Sequence, residues 1–118
     1  MSRGARKVAV IGAGNVGATC AFILAQKNIG EIVMLDIYEG FAKGKALDMS
    51  QGGQVLNYDG KITGTKDYTD IAGADVVVVT SGFPRKPGMS REDLVGRNAD
   101  IISEVGAGIR DHAPDSVI

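Results

Sequence analysis

The chain has 118 residues, 44% of them hydrophobic, a length and composition that suit one domain of ordinary size. Its 13 basic and 14 acidic side chains give a net charge of −1 without a basic cluster, which argues against a nucleic-acid partner. The short basic segment Met1–Lys7 is not followed by a stretch as long as a signal core or a membrane span. The single Cys20 cannot form an internal disulfide and is interpreted as a small packed core residue. These features predict a cytoplasmic protein without a membrane partner.

A glycine-rich turn follows the first predicted strand, Lys7–Ile11. Gly12, Gly14 and Gly17 form the pattern G-x-G-x-x-G between this apolar strand and a predicted helix. Gly12 permits a tight turn, Gly14 lets a pyrophosphate approach the backbone, and Gly17 lets the helix lie close to the strand. Such a turn alone also serves any strand that reverses sharply. In this context it predicts a pyrophosphate on the free N–H groups of the helix N-terminus.

The second predicted strand, Ile32–Asp36, ends on a carboxylate about 20 residues after the last glycine of the pattern, the usual spacing in dinucleotide-binding folds. A carboxylate there accepts hydrogen bonds from ribose hydroxyls and repels a 2′-phosphate. No arginine follows within the next few residues, so NAD is favoured over NADP as the cofactor. The alternative for Asp36 is a solvated carboxylate at a strand end.

Helices and strands continue to alternate along the chain. The other predicted elements are a helix at Val16–Asn28 with Gly30 as its C-cap, a helix at Phe41–Gln51 that Gly52 and Gly53 stop, strands at Lys61–Gly64 and Ala74–Thr80, a helix at Arg91–Asp111 and the start of a fifth strand at Ser116–Ile118. The valine run Val76–Val79 predicts burial on both faces. The last helix has an apolar face made of Leu94, Ile101, Ile102, Val105 and Ile109. Gly106 and Gly108 in that helix have no explanation in the sequence.

This alternation predicts an α/β fold, a doubly wound parallel sheet in the order 3-2-1-4 of the NAD-binding Rossmann type. Residues 1–118 are predicted to form one incomplete NAD-binding domain, because the sequence stops where strand five would enter the sheet. Strand four would then be a flat, hydrophobic edge, which tends to pair with other chains. We therefore expect the sequence to be the first part of a longer protein.

The segment Thr80–Arg91 follows the carboxyl end of strand four, where ligands bind in open α/β sheets. Its glycines and prolines predict a shaped but movable lid. Arg85 and Arg91 on this lid can hold a small dicarboxylate, because a guanidinium binds a carboxylate through two parallel hydrogen bonds. From spacing alone, the alternative is two solvated arginines in a polar loop.

Three segments of the chain resemble the malate dehydrogenases of the lactate-dehydrogenase-like group. They are I-G-A-G-N-V-G in the glycine turn, L-D-I at the end of strand two, and S-G-F-P-R-K-P-G-M-S-R-E-D-L in the lid. The resemblance covers essentially the whole chain and implies NAD-dependent interconversion of malate and oxaloacetate, a reaction of the tricarboxylic acid cycle. The segment G-F-A-K-G-K-A-L-D also matches the family, where its helix borders a subunit interface, and implies a homo-oligomer, a dimer or tetramer. The alternative is an amphipathic helix that only covers the sheet.

The resemblance also implies roles for individual residues. The residues that would hold the cofactor pyrophosphate are Gly12, Ala13, Gly14, Asn15, Val16 and Gly17. Asp36 would bind the adenosine ribose, and Asn98 would contact the cofactor. Arg85 would pair with the distal carboxylate of the substrate, where the related lactate enzymes carry glutamine. Arg91 would polarise the C2 carbonyl when the lid closes.

Hydride transfer also needs a proton acceptor, which this family supplies as a histidine oriented by an aspartate, with a further arginine for the C1 carboxylate. The one histidine, His112, lies at the end of the last helix and is interpreted as a surface residue. No catalytic or metal-binding residue is therefore predicted in this chain. The His/Asp pair is expected in a C-terminal substrate domain, and residues 1–118 alone are predicted to be inactive.

Two other functions stay open. A lactate dehydrogenase is disfavoured by Arg85, because burying an unpaired guanidinium against the methyl group of pyruvate would be costly. A non-catalytic NAD(H)-binding module has no need of the arginine pair on the lid.

Overall fold

The computed structural model describes residues 6–118, so most of the basic segment at residues 1–7 lies outside the described residues. Four parallel strands form one sheet in the order β3-β2-β1-β4, which confirms the predicted doubly wound topology. The elements in chain order are β1 (Lys7–Ile11), α1 (Asn15–Gln26), β2 (Glu31–Leu35), α2 (Glu39–Leu56), β3 (Ile62–Thr65), a 3₁₀ helix (Tyr68–Ile71), β4 (Val76–Val79) and α3 (Arg91–His112).

Two apolar layers cover the two faces of the sheet. The layer under α1 and α2 includes Val8, Val10, Ala18, Ala21, Ala25, Ile32, Met34 and Ala46. The layer under α3 and the 3₁₀ helix includes Ala9, Ile11, Val33, Leu35, Ile71, Val77, Val105 and Ile109. Because successive strand residues point to opposite faces, β1 and β2 are buried on both sides. Cys20 is only partly buried, so its interpretation as a core residue is wrong; the alanines of α1 occupy the face toward the sheet.

Helix α2 runs through Gly52 and Gly53, so the prediction that this pair ends the helix is wrong. The helix continues to Leu56 and ends at Asn57, which adopts a left-handed conformation with φ of 60°. The Tyr58 N–H then donates to the Gly53 carbonyl at 2.9 Å. A Cβ on Gly53 would lie 2.3 Å from the Tyr58 carbonyl oxygen. The glycine is needed because the chain folds back against the helix at this point.

Helix α1 ends at Gln26 with Lys27 as its C-cap, so the prediction that Gly30 caps the helix is also wrong. Asn28, with φ of 50°, makes the turn that follows the helix. Gly30 instead lies beside the start of β1, where a Cβ would be 2.2 Å from the Arg6 carbonyl oxygen. This glycine lets the entry to β2 pass close to the neighbouring backbone.

Strand β4 is shorter than predicted and is buried on both faces only in part. Val77 is 1% exposed, whereas Val76 is 38% exposed. On the side away from β1, the described chain contributes only an isolated parallel bridge between Val76 and Val117. The predicted start of a fifth strand is observed only as this bridge. Because no further strand of the described chain pairs with β4 on that side, its valines are less buried than expected.

Helix α3 begins at Arg91, as predicted, because of a capping box. The Asp93 N–H donates to Ser90 Oγ at 3.0 Å, and the Ser90 N–H donates to the Asp93 carboxylate at 3.2 Å. The buried face of the helix is narrower than the apolar spacing suggests, since Ile102 is 48% exposed. The structure also explains Gly108, where a Cβ would lie 2.4 Å from the Tyr68 ring.

The two glycines of α3 are expected to respond oppositely to substitution. Gly108→Ala should destabilise the fold by about 1–3 kcal/mol, since overpacking against a ring exceeds the gain in helix propensity. No atom beyond the adjoining backbone of the helix lies within 4 Å of a Cβ placed on Gly106, so Gly106→Ala should stabilise the fold by up to about 1 kcal/mol. Urea unfolding of both variants measures the difference. Equal effects of the two substitutions would contradict the assigned contact.

Candidate cofactor site

A cleft of about 560 Å³ opens at the carboxyl ends of β1, β2 and β4. It is lined by the glycine turn at Gly12 and Gly14, by Asp36 after β2, and by residues 80–82 after β4. Open α/β sheets bind ligands at this place, where the strand order reverses. The fold therefore brings the glycine pattern and the acidic strand end predicted from the sequence to one cleft.

Two of the three glycines are explained by packing within the chain. Gly12 has φ of 102°, a conformation that favours glycine, and its N–H donates to the Leu35 carbonyl at 2.8 Å. A Cβ on Gly17 would lie 1.8 Å from the Gly12 carbonyl oxygen. Thr80 Oγ1 donates to the same carbonyl at 3.1 Å. These contacts hold the start of α1 tightly against the ends of β1 and β4.

Gly14 is different, because apart from its two chain neighbours nothing in the described chain lies within 4 Å of a Cβ placed on it. It is the exposed N-cap of α1, and no side chain caps that helix. Asn15 and Val16, the first two residues of α1, are also exposed. Packing of the protein gives no reason for glycine at this position. The open space and the uncapped N–H groups fit an anionic ligand close to the backbone.

Asp36 ties the end of β2 to the glycine turn. Its Oδ2 accepts the Ala13 N–H at 2.8 Å, and its Oδ1 accepts the Tyr38 N–H at 3.0 Å. Ala13 is fully buried, so the Asp36 carboxylate is fixed by a rigid part of the fold. Each carboxylate oxygen can accept a second hydrogen bond, which leaves capacity for the two hydroxyls of a ribose.

Asp36→Asn is expected to weaken NADH binding by about tenfold, because it removes a charged hydrogen-bond acceptor. It should also reduce the preference for NADH over NADPH, because it removes the repulsion of a 2′-phosphate. The amide also cannot accept both backbone N–H groups as the carboxylate does. Fluorescence titration with both cofactors measures the change. Asp59→Asn, at an exposed site outside the cleft, is the matched control and should bind like the parent. An unchanged cofactor preference in Asp36→Asn would contradict the assigned role.

Most of the cleft wall lies outside the residues predicted to bind the cofactor. The lining residues that were not predicted at the site are Ile11, Leu35, Ile37, Tyr38, Phe41, Lys66, Tyr68, Ile101, Glu104 and Val105. Thr80, Ser81 and Gly82 also line the cleft and belong to the segment predicted as the lid. Burial and the negative charge of Glu104 raise the pKa of Tyr68, which keeps its phenol neutral. Tyr68 belongs to the 3₁₀ helix, an element without a periodic sequence signal. The position of several wall residues just after strand ends was the one available hint.

His112 lies behind this wall and is half-buried, so its interpretation as a surface residue is only partly right. Its ring stacks on the Tyr68 ring, with 6.1 Å between centroids. Its Nδ1 lies 3.0 Å from the Gly108 carbonyl oxygen on the same helix. These contacts hold His112 as a packing residue of the helix end.

The lid is fastened to α3 at its first residues. Asn98 Oδ1 accepts the Phe83 N–H at 2.7 Å. The Lys86 ammonium and the Arg97 guanidinium each lie 4.9 Å from the centroid of the Phe83 ring. Asn98 therefore lies at the base of the lid, with its amide N–H₂ left to donate to a ligand.

Arg85 and Arg91 are both exposed, and neither lines the cleft. Within residues 6–118 the structure gives their side chains no hydrogen bond or ion pair. Between them the lid turns, with the Met89 N–H donating to the Lys86 carbonyl and Gly88 at φ of 85°. The structure thus places both guanidiniums on the lid and leaves them unengaged, without bringing them to the glycine turn.

The part of the chain that the structure describes holds neither a candidate metal site nor a candidate membrane-spanning helix. Across residues 6–118, no three His, Cys, Asp or Glu side chains are grouped so that they could hold a metal ion. No helix in the same range combines the length and the apolar character needed to cross a membrane.

The sheet order, the glycine turn and the acidic end of β2 define a dinucleotide-binding domain of the Rossmann type. Residues 6–118 match the family model described as lactate/malate dehydrogenase, NAD binding domain, and the chain belongs to this family.

Individual relatives agree with the family model. The malate dehydrogenase of Methanosarcina mazei is 54% identical over 112 residues, which cover 95% of this chain. The solved malate dehydrogenase of Picrophilus torridus, in its apo form, is 45% identical over 95% of the chain with a TM-score of 0.92. That of Archaeoglobus fulgidus, solved in complex with NADH, is 39% identical over 93% of the chain, with a TM-score of 0.88. The chain spans 36% of the length of the first two and 38% of the third.

Proposed function

We propose that this chain is the cofactor-binding part of an NAD-dependent malate dehydrogenase and that it carries the substrate lid. The observation that supports this best is Gly14, which the packing of the chain does not require and which lies in the same cleft as Asp36. An open turn of free N–H groups beside a fixed carboxylate fits the pyrophosphate and ribose of NAD. When bound, NAD supplies the hydride acceptor for oxidation of the alcohol.

Each part of the cleft has a separate task in this proposal. The N–H groups at residues 14–17 bind the pyrophosphate, and Asp36 accepts hydrogen bonds from the adenosine ribose. The apolar wall around Ile37 and Phe41 excludes water from the adenine. Asn98 accepts the Phe83 N–H of the lid with its side-chain oxygen and donates its amide N–H₂ to the cofactor, so it connects the lid to the cofactor.

The lid supplies the substrate contacts. Arg85 pairs with the distal carboxylate of malate or oxaloacetate, and Arg91 stabilises negative charge that develops on the C2 oxygen. Neither guanidinium takes part in an ion pair within the described chain, so both are available to a carboxylate. The proton acceptor and its aspartate are proposed to lie in a C-terminal substrate domain. A homo-oligomer, a cytoplasmic location and a place in the tricarboxylic acid cycle stay predictions.

An assay of the longest natural chain that carries this sequence tests the proposal. NADH oxidation should be faster with oxaloacetate than with pyruvate by about 10³-fold or more in kcat/KM, because pyruvate leaves a guanidinium unpaired. A preference for pyruvate would instead identify a lactate dehydrogenase. NADH binding without turnover of either acid would identify a binding module and contradict the proposed activity.

A further inference from the structure

A lysine on α2 reaches across to the glycine turn. Lys45 Nζ donates to the Ala13 carbonyl at 2.8 Å and lies 4.0 Å from the centroid of the Phe41 ring. The side chain is partly buried, and it takes part in none of the ion pairs found within residues 6–118. Lys43, on the same helix, is by contrast exposed and pairs with Glu39 at 2.9 Å. The Lys45 ammonium is therefore committed to one backbone carbonyl of the turn.

The Ala13 residue is held through both of its backbone groups. Its N–H donates to Asp36, and its carbonyl accepts the Lys45 ammonium. That carbonyl belongs to the same peptide unit as the Gly14 N–H. No peptide bond in the described chain is cis, and in a trans peptide the C=O and N–H point in opposite directions. With the carbonyl held toward α2, the Gly14 N–H points away from Lys45.

The Gly14 N–H donates no hydrogen bond to another described residue, although its peptide is so firmly oriented. It opens on the side of the turn where Gly14 leaves space free of protein atoms. An unconstrained peptide before a helix can rotate, and rotation would replace this donor by a carbonyl oxygen that repels an anion. A charged hydrogen bond to the carbonyl prevents that rotation before any ligand binds.

We propose that Lys45 is a positioning residue that fixes the Ala13–Gly14 peptide and so aims the Gly14 N–H at the pyrophosphate of the cofactor. The inference rests on the proposed NAD site. Lys45 acts through the backbone, and it should affect ligands that carry the pyrophosphate more than ligands that carry only the nucleoside. Asp36, which binds the ribose, keeps its own two backbone hydrogen bonds when Lys45 is replaced.

Lys45→Met tests the proposal, because it keeps an unbranched apolar side chain and removes the donor. In the longest natural chain that carries this sequence, dissociation constants for NADH, ADP-ribose and adenosine are measured by NADH fluorescence and its displacement. NADH and ADP-ribose should bind about tenfold more weakly, as expected for one lost charged hydrogen bond, while adenosine changes less than about twofold. Lys45→Arg should recover most of the loss, since it restores a charged donor.

Lys43→Met is the matched control and should bind all three ligands like the parent. Lys45→Gln, which is neutral and shorter, should repeat the pattern of Lys45→Met and replaces it if that variant does not fold. Unchanged ADP-ribose binding, or equal weakening of ADP-ribose and adenosine, would overturn the positioning role. Failure of the parent to bind NADH at all would overturn the proposed function and this inference with it.

Discussion

Gly17→Ala is expected to lower the free energy of unfolding by about 4 kcal/mol or more, enough to prevent folding of a marginally stable domain. The added Cβ would lie 1.8 Å from the Gly12 carbonyl oxygen and 2.6 Å from Thr80 Oγ1. Thr80 can rotate its hydroxyl away, but the carbonyl is backbone and is fixed by the hydrogen bond from Gly12 N–H to Leu35. Relief of the overlap therefore requires that α1 move away from the sheet.

Gly14→Ala, in the same turn, is expected to weaken NADH binding and to leave the stability of the fold nearly unchanged. Its Cβ meets nothing within 4 Å, and its φ of −70° is accessible to alanine, so stability should change by less than about 0.5 kcal/mol. NADH binding should weaken by about tenfold or more, because the methyl group would occupy the space of the pyrophosphate in the proposed site. Urea unfolding and NADH titration of both variants separate the two roles. A folded Gly17→Ala variant of parental stability, or a Gly14→Ala variant with parental affinity, would contradict the assigned roles.

Arg85→Gln is expected to move substrate preference from oxaloacetate toward pyruvate in the longest natural chain that carries this sequence. In the proposed role the guanidinium would pair with a carboxylate that pyruvate lacks, and discrimination by a polar group that loses its partner in a closed site reaches about 10⁴-fold. Glutamine removes both the pair and the cost of leaving a charge unpaired. The ratio of kcat/KM for oxaloacetate to that for pyruvate should therefore fall by about 10³-fold or more.

Lys86→Gln is the matched control for this change, because it removes one positive charge from the neighbouring position of the same lid. Lys86 lies near the Phe83 ring at the base of the lid. Its loss should leave the ratio of the two substrates within about threefold of the parent, as for a rim charge without a bound partner. If Arg85→Gln kept full selectivity for oxaloacetate, the role of Arg85 would be wrong.

The features that the sequence predicted well are those with a local physical cause. The apolar runs of β1 and β2 and the G-x-G-x-x-G between β1 and α1 determine a strand, a turn and a helix within one stretch of chain. Parallel pairing and right-handed crossovers then leave few sheet orders, and 3-2-1-4 is the one observed. The N-terminus of α3 at Arg91 was predictable for the same reason, since its capping box lies within four residues.

The features that were missed depend on contacts between distant parts of the chain. Gly53 allows Tyr58 to fold back, so its usual meaning as a helix stop does not hold. Gly108 makes room for the ring of Tyr68, which belongs to the 3₁₀ helix, and no sequence pattern predicted that helix. The hydrogen bond from Lys45 to Ala13 spans 32 residues, and nothing in the sequence distinguishes Lys45 from the exposed Lys43. Such roles become visible only when the neighbours are known.

The most direct test of the cofactor site is a fluorescence titration of the longest natural chain that carries this sequence, with NADH and with NADPH. We predict saturable binding of NADH, at least about 100-fold tighter than that of NADPH, because in the proposed site the Asp36 carboxylate, held by two backbone N–H groups, would accept the ribose hydroxyls and repel a 2′-phosphate. Equal binding of the two cofactors, or no binding of NADH, would contradict the account.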